Sequence, residues 1–142
     1  MLRLAAFAVT TSALAAAAAG PLPPLPLGLL ASPDRLTVGV SSSGNPRADG
    51  EYRLECGTPP SGTHPQAAKA CERLDELARQ HKDPFAPVSK RQICTFQDGG
   101  PATARVTGTW HGREVNARFD RSNGCEISRW NELEPLLPSA RS

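Results

Sequence analysis

Aromatic side chains are scarce in this 142-residue chain: one tyrosine, two tryptophans and four phenylalanines make up 5% of it. With 14 prolines and 12 glycines beside them, the composition predicts a loop-rich fold whose core is small for its length and needs help from covalent links. Basic residues number 16 against 14 acidic ones and are scattered singly. No electrostatic footprint for nucleic acid is present, and nucleic acid is not expected as a partner. No two cysteines stand two to four residues apart, so His64, His81 and His111 together with four cysteines do not make a zinc knuckle. No serine sits in a nucleophile-elbow context, which with the small size argues against an enzyme. Asp98-Gly99-Gly100 is followed by neither a lysine nor a helix start, which excludes a phosphate loop and leaves a turn. No cofactor and no metal are expected. No internal repeat is visible, and the length suits one domain.

The apolar residues that are present begin at the N-terminus. A short basic start, MLR, precedes the 16-residue run LAAFAVTTSALAAAAA, which ends on Ala17-Ala18-Ala19 with the small residues of a cleavage site. Residues 1–19 read as a secretory signal peptide. A membrane anchor is the competing reading, but the run falls short of about 20 residues and meets PLPPLPLG at once. Residues 20–34 carry five prolines and form neither helix nor paired strand, so they are expected to be an extended arm, a linker or a Pro-rich ligand. Export, with no membrane association once the signal is removed, places the protein outside the cell, where four cysteines become disulfides.

Three connectivities are open to four cysteines. In YRLEC at 52–56, alternation puts Tyr52, Leu54 and Cys56 on the inward side of a strand. Downstream, Thr63 and Gln66 have capping-box spacing with Pro65 in the first turn, predicting a helix over about 64–80. Its apolar stripe is Ala67, Ala70, Cys71, Leu74, Leu77 and Ala78. Two inward faces can therefore join Cys56 to Cys71, which leaves Cys94 with Cys125. In the loop-entropy model the two closures are worth about 3 and about 4 kcal/mol. Alternation also predicts a strand at 35–40, with Leu36, Val38 and Val40 inward, and a hairpin over 103–119 that turns at His111-Gly112. A short helix carries Ile127, Trp130 and Leu133 ahead of Pro135. The fold class is α+β, an antiparallel sheet with helix packed on it.

One aromatic does not belong to any of these faces. In RQICTFQDGGP, residues 91–101, Phe96 stands two residues past Cys94 among polar and turn-forming neighbours. A disulfide at Cys94 would pin this loop to Cys125, and Phe96 would project outward from it.

The chain resembles the Streptomyces subtilisin inhibitor-like family of secreted serine protease inhibitors over about residues 36–127. The resemblance is carried by LTVGV at 36–40, by Cys56 leading through TPPSGTHP to Cys71, by Cys94, by GTWHGREV at 108–115 and by SNGCE at 122–126. It implies a five-stranded antiparallel sheet with two helices, disulfides joining first to second and third to fourth cysteine, and a homodimer through the sheet. It also implies a reactive bond two residues past the third cysteine, here Phe96–Gln97. Phe96 would enter the main pocket of a subtilisin-like or chymotrypsin-like endopeptidase, and Ile93, Cys94, Thr95 and Asp98 would line the rest of the contact. Asn123 would either hydrogen-bond the loop from behind or serve a turn.

The chain departs from the family pattern in one extra residue between Cys94 and Trp110, and in Asp98-Gly99-Gly100-Pro101 where an Asp-Pro is usual. Glycines there predict a looser loop on that side. The domain is expected over 35–138, with 139–142 as a tail. The second function class is a secreted, non-inhibitory protein of the same fold, a binding partner or a cross-linking substrate.

Overall fold

Alternating apolar residues build the sheet. In the computed structural model, which describes residues 20–24 and 33–140, strand β1 (Asp34–Ser41) buries Leu36, Val38 and Val40 and lies at the centre. It pairs antiparallel with β2 (Gly50–Cys56) on one side and β4 (Thr103–Trp110) on the other. A two-residue strand β3 (Ser61–Gly62) extends the β2 edge and β5 (Arg113–Phe119) closes the other, giving the order β3-β2-β1-β4-β5. The expected hairpin is β4–β5, with Val106 opposite Ala117 and Ala104 opposite Phe119. Its two-residue turn requires positive φ at both positions, supplied by His111 at 47° and Gly112 at 74°.

Helix α1 (Ala67–Arg79) packs on β2 and β3, burying Ala70, Cys71, Leu74 and Leu77 as its spacing predicts. Its start differs from the expected capping box. Thr63 is held by the sheet edge: its Oγ1 accepts from the Arg53 N–H at 2.9 Å and its own N–H donates to the Arg53 carbonyl at 2.9 Å. With Thr63 committed there, the helix begins three residues later and Gln66 caps it without a side-chain bond. His64 takes over part of the task, its Nδ1 accepting from the Gln66 N–H at 3.1 Å.

Helix α2 (Gly124–Glu132) packs against β5 and buries Trp130. The chain beyond it joins the core, where Leu133, Leu136 and Leu137 are at most 1% exposed. Trp130 Nε1–H donates to the Pro138 carbonyl at 2.8 Å, and the buried His64 donates through Nε2 to the Leu136 carbonyl at 3.0 Å. The expected tail boundary at 139 is therefore too early, because Ala140 is itself 4% exposed. A helix end and four apolar side chains that would otherwise face water draw this segment into the core.

Both disulfides have the expected pairing, Cys56 with Cys71 and Cys94 with Cys125. The α+β class, the five-stranded antiparallel sheet, the two helices and the two disulfides are those the sequence led us to expect. Residues 20–24 have no regular secondary structure and are exposed. The signal-peptide segment 1–19 lies outside the described residues, as does most of the arm. No helix among the described residues is long and apolar enough to cross a membrane.

Candidate functional site

Between α1 and β4 the chain runs from about 81 to 102 without helix or strand, so its backbone groups need partners elsewhere. The incoming side is gathered by Arg129 of α2. Its guanidinium donates to the Ala86 carbonyl at 2.8 Å, to the Phe85 carbonyl at 3.4 Å and to the Arg118 carbonyl of β5 at 2.6 Å. It lies 4.0 Å over the Phe119 ring, which fixes the plane of the guanidinium. Phe85 adds an edge-on contact with Trp110.

The middle of the loop is held at two consecutive residues. Cys94 is bonded to Cys125 in the first turn of α2, with a Cα separation of 5.3 Å. The Thr95 carbonyl then accepts from the Gly124 N–H at 3.1 Å, so an orphan donor at the helix N-terminus is satisfied by the loop. Glycine allows this close approach, since a Cβ on Gly124 would fall 2.0 Å from Thr95 Oγ1 and force that hydroxyl to turn away. The same Thr95 carbonyl accepts from the Gln97 N–H at 3.0 Å, a three-residue turn centred on Phe96. The alternation that marks the strands gives no hint of this turn; it follows from the carbonyl being fixed from behind while the chain continues outward.

Phe96 stands at the apex and is fully exposed at 109%, and Ile93 follows at 97%. Gln97, Asp98 and Thr95 are exposed as well. The six loop residues singled out from sequence are thus contiguous in space, and two large apolar side chains point to solvent where the rest of the fold hides them. Asn123 does something other than bridge to the loop: its Oδ1 accepts from the Glu126 N–H at 3.0 Å and caps α2. Support from behind comes instead from its neighbour, the Gly124 N–H.

The glycines after Asp98 also differ from expectation. Gly99 is buried, and a Cβ on it would lie 2.7 Å from Ile127 Cγ1. Its N–H donates to the Arg121 carbonyl at 2.8 Å, and its carbonyl accepts from Arg121 Nε at 2.9 Å. Gly100, at φ +93°, supplies the left-handed step that lets the chain leave toward β4, and its N–H is held by Asp98 Oδ1 at 2.9 Å. Freedom in the sequence has become close approach in the fold. Sequence reasoning missed Arg121, Gly124 and Arg129; only Gly124, adjoining a cysteine, carried any local signal.

The family model described as subtilisin inhibitor-like matches residues 31–123. The chain belongs to the subtilisin inhibitor-like family. Among its relatives, the protease inhibitor SIL-V2 of Streptomyces orinoci is 33% identical over 92 residues, 63% of this chain and 81% of that one. Kexstatin-1 of Streptomyces platensis is 30% identical over 128 residues, covering 87% of this chain and 86% of its own. A transglutaminase-activating metalloprotease inhibitor of Streptomyces mobaraensis is 34% identical over 99 residues, and the matched segment spans 62% of its length. Among solved structures, sermetstatin of Streptomyces caespitosus in complex with Bacillus licheniformis subtilisin aligns with a TM-score of 0.45 at 23% identity, covering 73% of this chain and 99% of that one. These subtilisin inhibitor-like relatives are protease inhibitors, and the match to the family model stops just before Gly124 and Cys125, the residues that hold the loop.

Proposed function

We propose that this protein is a secreted inhibitor of serine endopeptidases of subtilisin type, extending to chymotrypsin type, which presents Phe96–Gln97 as its reactive bond. The observation that carries the reading is the contrast at Phe96: a ring exposed at 109% on a backbone fixed one residue away at Thr95 and two residues away at Cys94. An exposed aromatic on a stiff support is the form of a binding hot spot, because its contact energy is not spent on ordering the loop. Ile93 and Thr95 lie on the N-terminal side of the bond and would fill the adjoining subsites.

Inhibition then follows from holding both products in place. Attack of the protease serine on the Phe96 carbonyl breaks the Phe96–Gln97 C–N bond, forms an ester to Phe96 and frees the Gln97 amine. Because the amine remains attached to the fold, it stays at high effective concentration, and its return to the ester re-forms the amide and releases the serine. A large apolar side chain suits an apolar pocket and leaves the acidic group of a trypsin-like pocket unpaired. Secretion through a signal at 1–19 belongs to the same reading. So does a homodimer on the outer sheet face, where Arg53, Thr37, Thr107 and Asn116 lie side by side across four strands.

Stoichiometric incubation with subtilisin and with chymotrypsin, following residual activity and fragment masses over hours, tests the proposal. Lasting inhibition with slow, partial cleavage at Phe96–Gln97 is expected. Rapid turnover at that bond without inhibition would favour a non-inhibitory protein of the same fold that binds another partner or is cross-linked. Sedimentation velocity at micromolar concentration reads the dimer, and a monomer there removes that part.

A further inference from the structure

We propose that Arg121 is the positioning residue that retains the Gln97 side of the reactive bond after cleavage, and so decides whether the protein acts as inhibitor or substrate. The inference rests on Phe96–Gln97 being that bond. The side of the loop before the bond has a disulfide and the Thr95 carbonyl to hold it. The side after it has no disulfide, and the Asp98-Gly99-Gly100 sequence would leave it loose in an unsupported chain.

Arg121 binds both backbone polar groups of one residue there. The Gly99 N–H donates to its carbonyl at 2.8 Å, and its Nε donates to the Gly99 carbonyl at 2.9 Å. The arginine is itself immobilised: it is 6% exposed, its Nη1 donates to Asn131 Oδ1 at 2.8 Å, and its guanidinium lies 5.9 Å from the Trp130 ring centroid. Asn131 and Trp130 both belong to α2, the helix that also holds Thr95 and Cys94. The two ends created by cleavage are therefore referred to one rigid element. An arginine is needed because a lysine at this place would offer a point charge without the planar fork that reaches Gly99 and Asn131 at once.

Chain geometry gives the size of the effect. Gln97 is two residues from the Gly99 clamp, so a freed amine sweeps a radius of about 7 Å at full extension. Without the clamp, the next buried residue is Ala102, 2% exposed, five residues from Gln97. That radius is about 17 Å. The accessible volume grows about tenfold, and the effective concentration of the amine at the ester falls by about the same factor.

The test is Arg121→Met, which keeps the length and apolar contacts of the side chain, assayed with subtilisin against the wild type. Intact and cleaved forms are each incubated with catalytic protease until the ratio from both directions agrees. Arg121→Met removes the Nε bond and keeps the backbone carbonyl that holds the Gly99 N–H, so about tenfold is the ceiling: expected are an association rate within a few-fold of wild type, net hydrolysis at Phe96–Gln97 about five-fold faster, and an equilibrium shifted about five-fold toward the cleaved form. A role confined to stability would lower Tm and leave that ratio unmoved well below Tm, and this outcome overturns the inference. Should Arg121→Met fail to fold, Asn131→Ala, which removes only the guanidinium's orienting partner, carries the same shift at about threefold, and no shift in it overturns the inference equally. Fragment masses separate the two claims. Cutting of the wild type at another bond defeats the Phe96–Gln97 reading and the Arg121 inference with it, whereas cutting there with an unchanged ratio defeats Arg121 alone.

Discussion

The backbone N–H of Gly124 and the carbonyl of Thr95 meet at 3.1 Å, where the first residue of α2 has no side chain to keep the loop away. A Cβ on Gly124 would lie 2.0 Å from Thr95 Oγ1 and 3.3 Å from its Cβ, so Gly124→Val must push the loop outward. The change removes one backbone hydrogen bond and frees the residue before Phe96. Loss of the bond costs about 1 kcal/mol, and loop loosening adds to it. Inhibition of subtilisin is expected to weaken about tenfold or more, with a smaller loss of Tm. Gly124→Ala, whose clash is partly relieved by turning the Thr95 hydroxyl, should fall between the two. Inhibition constants for the three proteins check the order, and equal constants would remove Gly124 from the site.

Phe96 carries the largest expected energetic effect, because its side chain makes no contact that the fold would miss. Phe96→Ala should leave Tm unchanged while costing about 2–4 kcal/mol of binding, about 30- to 1000-fold in the inhibition constant for subtilisin. Phe96→Lys should move preference toward trypsin-like proteases, whose acidic pocket would then find a partner. Unchanged specificity in Phe96→Lys would mean that another side chain enters the pocket.

His64 gives a pH dependence with a defined sign. Burial, the larger influence, pushes its imidazole below the ordinary value of 6.5, while the hydrogen bond to the Leu136 carbonyl works in the other direction. A histidine held neutral in the fold and free to protonate in the unfolded chain favours the unfolded state in acid. Its contribution to stability is therefore complete above about pH 6.5 and is lost as pH falls from there toward the lower folded value. The wild-type Tm should be level at pH 7–8 and decline through about 6.5, and His64→Gln should remove the decline in that window. A titration of the His64 ring by NMR with a midpoint at or above 6.5 would contradict this account.

The features legible in the sequence are those set by short-range periodicity. Val38 and Val106 alternate with polar neighbours, and Leu74 and Leu77 share a helical stripe, so their buried positions follow from local pattern alone. β3 gave no such signal, because two residues have no period; the resemblance, not the residues, supplied the fifth strand. Thr63 shows the converse, a correct local motif overridden by a tertiary partner, the Arg53 backbone. In the loop, exposure of Phe96 was readable from its company, but its supports were not. Gly99 looked free because glycine is free in an unfolded chain; that Ile127 and Arg121 close over it depends on residues more than 20 positions away.

The two disulfides should separate stability from mechanism. Cys56–Cys71 closes a separation of 15 residues between β2 and α1, away from the loop, and Cys94–Cys125 closes 31 residues and holds the residue two before Phe96. In the loop-entropy model their removal costs about 3 and about 4 kcal/mol, similar amounts for two very different places. A Cys56→Ser, Cys71→Ser protein that remains folded at the assay temperature should therefore inhibit subtilisin as the wild type does. A Cys94→Ser, Cys125→Ser protein should be turned over at Phe96–Gln97, since the chain next to Phe96 then keeps the Thr95 carbonyl as its hold on α2, the Arg129 bonds lying about ten residues earlier at Phe85 and Ala86. Assays below the Tm of both variants, with fragment masses taken in parallel, decide the matter. Equal turnover of the two would make the second disulfide a stabilising link only, and would shift the burden of retention to the hydrogen bonds at Thr95 and Gly99.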